Sequence, residues 1–159
     1  MKDLREVKKI LQMEISRHRS TCNLWLSQEN YILKMLERFN MTEVRSVSTS
    51  LAGHFRLSSS QCPNSQEEEN EMSQVPFASA VRSLMYVIVC TRLDLPYTVG
   101  LVSQFMLNLG KQCWEAVKLV LRYLRGIVGL GLVFQRLKTE NFKVLQVYVD
   151  ADYGGDLDQ

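Results

Sequence analysis

The sequence predicts an α+β fold, with an N-terminal β-hairpin, a mainly helical middle and a C-terminal β-hairpin. Three observations point to it. Between Ser27 and Gly126, apolar residues recur at the helical interval in several separate segments. Short apolar runs bounded by polar loops flank that stretch on both sides. A content of 46% hydrophobic against 23% charged residues over 159 positions is enough to bury a core of one-domain size.

Lys9–Ser16 alternates imperfectly, and Leu24, Trp25 and Leu26 form a short apolar run, so the polar stretch Arg17–Asn23 reads as a hairpin loop. Ser27 is placed to N-cap an amphipathic helix that turns Ile32, Met35, Leu36 and Phe39 inward and ends near Asn40. From Ser46 to about Ser73 the chain is rich in Ser, Gln, Asn and Glu, including Glu67, Glu68 and Glu69, and reads as a long mobile surface connection. Phe77, Ala80, Val81, Leu84, Met85 and Ile88 define a second helix, apolar around much of its circumference and so expected at the centre of the core. Asp94 ahead of Leu95 and Pro96 signals another helix start, with Leu101, Val102 and Phe105 inward and Asn108–Gly110 as the stop. The last helix carries Trp114, Val117, Leu121 and Leu124 inward, and Gly126 is expected to close it. Leu130–Phe134 and Lys143–Asp150 then read as two strands joined by a polar loop. The resulting divisions are 1–40, 41–75, 76–126 and 127–159.

A net charge of +2 and a pI near 8.4 barely favour a polyanionic partner, so any nucleic-acid argument has to rest on local pattern. Cys22, Cys62, Cys90 and Cys113 lack paired spacing and follow no signal peptide, which predicts reduced thiols in an intracellular protein. His18 with Cys22 is half a zinc site with no second pair. No apolar run approaches the roughly 20 residues of a membrane span, and no membrane partner is expected.

Two patterns carry candidate chemistry. Lys111, Lys118, Arg122 and Arg125 fall on a helix face roughly opposite Trp114 and Leu121, where they could track a phosphate backbone; the alternative is a solvated face partly neutralised by Glu115. Asp150 and Asp152, followed by Gly154 and Gly155, end the apolar run Val147–Val149, as acids do at the opening of a Mg²⁺-dependent nuclease site. Two-metal chemistry needs several converging carboxylates to hold ions about 3.5–4 Å apart, so one strand does not suffice. A polar turn is the plain alternative. A calcium loop using Asp156 and Asp158 as well is disfavoured by Gly154, by the missing closing glutamate and by the strand before it. Trp25 and Tyr31 could stack bases or simply pack the hairpin on the helix. No Ser/His/Asp set or phosphate-cradling glycine loop is present, and His18 and His54 have no visible catalytic partner.

The runs Met1-Lys2-Asp3-Leu4, Trp25-Leu26-Ser27-Gln28-Glu29, Leu36-Glu37-Arg38-Phe39-Asn40-Met41, Ser83-Leu84-Met85-Tyr86, Cys90-Thr91-Arg92, Trp114-Glu115-Ala116-Val117-Lys118 and Asp150-Ala151-Asp152 resemble the Pol polyprotein of plant copia-type LTR retrotransposons. They occur in the family's order with nearly its spacing. The resemblance implies the end of a reverse-transcriptase palm and first thumb helix over 1–40, a mobile polar connection over 41–75, a helical thumb and connection over 76–126, and the truncated start of a ribonuclease H-like sheet over 127–159. It implies RNA-directed DNA synthesis and RNA degradation in the parent enzyme, with Mg²⁺ as cofactor and an RNA–DNA hybrid or primer-template duplex as partner. Asp150 matches the family's first metal-ligating, catalytic acid, while Lys118, Arg122 and Arg125 would contact nucleic acid. The polymerase aspartates belong upstream of the opening block and the remaining ribonuclease acids beyond Gln159, so this chain by itself is expected to be inactive and to hold no metal, with residual nucleic-acid binding. The alternatives are a non-enzymatic helical interaction module using the Lys118 and Arg122 face, and a decayed element copy with no selected role.

Departures from the family pattern favour decay. Arg5, Gln12 and Arg82 stand where the family usually has glycine, Ser50, Leu93 and Leu109 where it has proline, and Cys113 where it has histidine. Such glycines often serve positive φ or close packing. Arg82 is accordingly expected to cost about 1–3 kcal/mol if its site is tight.

Overall fold

The computed structural model describes residues 7–51, 57, 63, 65–106 and 109–135, and these have the expected α+β architecture. In chain order the elements are β1 (Lys9–Ile10), β2 (Met13–His18), β3 (Asn23–Ser27), α1 (Glu29–Arg38), α2 (Gln66–Ser73), α3 (Phe77–Cys90), α4 (Pro96–Ser103), α5 (Lys111–Gly126) and β4 (Leu132–Gln135).

Lys9–Ser16 does not run as one strand. Leu11 and Gln12 adopt φ of 44° and 59°, so the chain reverses there and β1 pairs antiparallel with β2. Two consecutive left-handed residues are what a two-residue hairpin turn requires, and glycine normally supplies them. The Tyr86 hydroxyl donates to the Leu11 carbonyl and pins this turn to α3. Gln12→Gly is expected to raise unfolding free energy by about 0.5–1 kcal/mol, relief of the left-handed strain being partly offset by the freer unfolded chain. Urea denaturation checks this, and an unchanged or lower midpoint would show the turn to be unstrained.

The sheet order is β1-β2-β3-β4, antiparallel throughout. Ile15, Leu26 and Leu132 lie opposite one another and share a face. The strand expected to open a separate C-terminal hairpin is therefore the fourth strand of the leading sheet, and its expected partner Lys143–Asp150 lies outside the described residues.

Gln28, not Ser27, occupies the N-cap of α1, although Ser27 Oγ still accepts from the Glu29 amide at 3.2 Å. Gln28 is buried and its Oε1 accepts from Thr91 Oγ1 at 2.6 Å, which ties the start of α1 to the end of α3. At the other end Asn40 has φ 56°, with its amide on the Glu37 carbonyl at 3.0 Å and the Met41 amide on the Leu36 carbonyl at 2.8 Å. This is a Schellman stop with asparagine in the left-handed position.

The polar segment read as a mobile connection contains an ordered element. Ser65 caps α2 by accepting from the Glu68 amide, Glu67–Glu69 occupy its first turn, and Met72 is buried. Further back, Ser50 Oγ and Thr98 Oγ1 lie 3.2 Å apart and Leu57 is buried.

The helical core centres on α5, which touches α1, α3 and α4. Cys113, Ala116, Val117, Val120, Leu121 and Leu124 form its buried stripe at the helical interval, whereas Trp114 packs at the rim. In α3 the buried stripe is Phe77, Ala80, Val81, Leu84 and Val87. The helix is central to the core as expected, but by one face only: Met85, expected inward, is 43% exposed and Val89 81%. Arg82 is exposed as well, and its expected overpacking does not arise. Pro96 opens α4, which buries Thr98, Val99 and Val102; Asp94 instead accepts a hydrogen bond from the Tyr123 hydroxyl at 2.8 Å.

Candidate nucleic-acid interface

Helix α5 and the 42–49 segment after α1 form the site. The Schellman stop turns the chain back along α5, and two arginines hold it there. Arg125 Nε donates to the Thr42 carbonyl, and Arg122 Nε donates to the Arg45 carbonyl at 2.8 Å. Gly126 is expected to close α5 in a left-handed C-terminal position, but it lies within the helix and serves close approach: a Cβ there would stand 3.2 Å from Ser46 Cβ. A groove of about 870 Å³ results between α5 and the segment, with Arg45, Ser46, Ser48, Thr49, Arg122 and Tyr123 among its walls. The Tyr123 phenol titrates above its usual range, first because it donates to Asp94 and second through burial.

The cationic face read from the sequence is only partly assembled. Lys111 pairs with Glu71 of α2 at 3.0 Å, both side chains being well exposed. Lys118 pairs with Glu115 one turn back. Arg122 and Arg125 share a face but each commits Nε to a carbonyl, so they act first as latches for the connection. A guanidinium carries five N–H donors, however, and each of these bonds uses one.

Asp150 and Asp152 lie outside the described residues. Among the described residues no three His, Cys, Asp or Glu side chains gather as a metal site would require. Tyr31 packs against Tyr86 with its ring tilted by 57° and the centroids 4.9 Å apart, while Trp25 stands half exposed on the sheet opposite Val133.

Sequence reasoning missed Arg45 and Arg92. Arg45 follows a helix stop and precedes a run of hydroxyl residues, Ser46, Ser48, Thr49 and Ser50, which was legible as polar loop but not as a wall. Arg92 is buried, and its Nη2 donates to the carbonyls of Ile127 and of Leu130, the latter at 3.0 Å.

Over 158 residues, 99% of its length, the chain is 52% identical to the Retrovirus-related Pol polyprotein from transposon TNT 1-94 of Nicotiana tabacum, covering 12% of that protein. It is 37% identical over 138 residues to the Retrovirus-related Pol polyprotein from transposon RE2 of Arabidopsis thaliana, covering 9% of it. An 87-residue stretch is 44% identical to the Secreted RxLR effector protein 161 of Plasmopara viticola, covering 59% of that protein. No family profile matches, and no solved structure matches. Along nearly its whole length the chain is similar to Pol polyproteins of plant copia-type transposons, of which it spans about a tenth.

Proposed function

We propose that this chain is the duplex-gripping part of a Pol polyprotein that copies RNA into DNA and degrades the RNA of the hybrid. The observation that carries this reading is the similarity to the tobacco Pol polyprotein across 99% of the chain. Its ligand is an RNA–DNA hybrid or primer-template duplex, met at the phosphates by Lys118, Arg122 and Arg125 on α5. Binding of this kind is steeply salt-dependent and nearly blind to base sequence. The chain itself contributes grip rather than catalysis. It contains no adjacent aspartate pair of the polymerase type, and Asp150 needs further carboxylates to hold magnesium.

Fluorescence anisotropy of a labelled hybrid is expected to show log affinity falling linearly with log salt, with a slope reduced by roughly one in Lys118→Ala. A slope near zero overturns the reading, as does RNA degradation by the purified chain that Asp150→Asn abolishes.

A second reading, a copy under relaxed constraint, is supported by Gln12, which holds a left-handed conformation where the family usually has glycine.

A further inference from the structure

We infer that the groove between α5 and residues 45–49 is a phosphate subsite, taking one backbone phosphodiester of a bound nucleic acid. Among its walls are Arg45 and Arg122 and the hydroxyl residues Ser46, Ser48 and Thr49, and no Asp or Glu is among the described residues that line it. Of the acids near this helix, Glu115 pairs with Lys118, and Asp94 accepts from the groove residue Tyr123. In a chain with a net charge of only +2, two arginines on one groove wall are a local concentration of positive charge.

The bond from Arg122 Nε to the Arg45 carbonyl fixes the Arg122 plane before any ligand arrives, leaving its other donors to form a charge-assisted fork. Gly126 admits Ser46 against the helix, so the hydroxyl run stands beside that fork. At about 870 Å³ the groove is larger than a lone phosphate group requires and accommodates the adjoining sugars of a strand. A phosphodiester contact of this kind positions a strand without specifying its sequence. The source of the phosphate rests on the duplex-gripping reading; the phosphate chemistry does not.

Arg45→Ala is the informative variant, because the latch uses the Arg45 carbonyl and survives loss of the side chain. Two titrations of the full chain, followed by amide chemical shifts and by anisotropy, separate the ideas: inorganic phosphate, and a labelled RNA–DNA hybrid. Phosphate is expected to move the 46–49 amides, and Arg45→Ala to weaken hybrid binding about tenfold and lower the salt slope by roughly one. If phosphate moves those amides but hybrid does not bind, the subsite stands and the duplex reading falls. If hybrid binds, Lys118→Ala weakens it and Arg45→Ala changes nothing, the subsite is overturned and the duplex reading stands. Silence in both titrations overturns both.

Discussion

Arg92→Leu is expected to lower the free energy of unfolding by about 3 kcal/mol, the largest loss for any single polar side chain described above. Arg92 leaves the end of α3 and is only 5% exposed, yet it belongs to neither described ion pair. Its role is to satisfy backbone. The carbonyls of Ile127 and Leu130, in the turn between α5 and β4, both accept from its Nη2. Leucine fills part of the space and donates nothing, so two carbonyls lose their partner, each at about 1–3 kcal/mol if water does not reach it. Removing a buried charge with no described carboxylate returns some of that, which is why the net falls below the sum. Arg92→Lys should lose about half as much, since an ammonium keeps the charge and lacks the planar fork. Urea denaturation measures both. A loss under about 0.5 kcal/mol for Arg92→Leu would mean that water already serves those carbonyls.

Gly131→Val is expected to detach β4 from β3 and to lower stability by about 2–4 kcal/mol. Even a single Cβ at Gly131 would collide with the Leu26 carbonyl oxygen, which is backbone and has no rotamer by which to move away. The pairs Leu26–Leu132, Trp25–Val133, Leu24–Phe134 and Asn23–Gln135 all follow directly from this point. Because α5 packs chiefly against α1, α3 and α4, the damage should be local. Amide exchange should accelerate along β3 and remain slow at Val117 and Leu121. Uniform acceleration across α5 would contradict that separation of sheet and helical core.

The helices were legible wherever their apolar residues kept the 3.6-residue interval, as in α1 and α5. The errors have identifiable physical causes. Apolar residues alone cannot distinguish the core face of α3 from its exposed back, so the pattern points Met85 inward and leaves Val87 unmarked, although only Val87 is buried. Helix α2 was hidden because its composition is polar; its existence rests on the Ser65 cap, its acidic first turn and one buried methionine, signals weaker than an apolar stripe. Pairing of β4 with β3 depends on a long-range register that no local pattern encodes. Of the site, the arginines of α5 were visible, but their commitment to the Thr42 and Arg45 carbonyls was not, because it depends on where an asparagine-stopped helix sends the chain afterwards.

The union of β3 with β4 also sets an order of events in biosynthesis. Leu26 and Leu132 are separated by about a hundred residues, so closing that loop carries an entropic penalty that the intervening helices must first remove by collapsing. A ribosome emits β3 long before β4, and until β4 has emerged the outer rim of β3 remains unpaired and able to capture a strand from another nascent copy. Docking of β4 is therefore the event that ends this exposure.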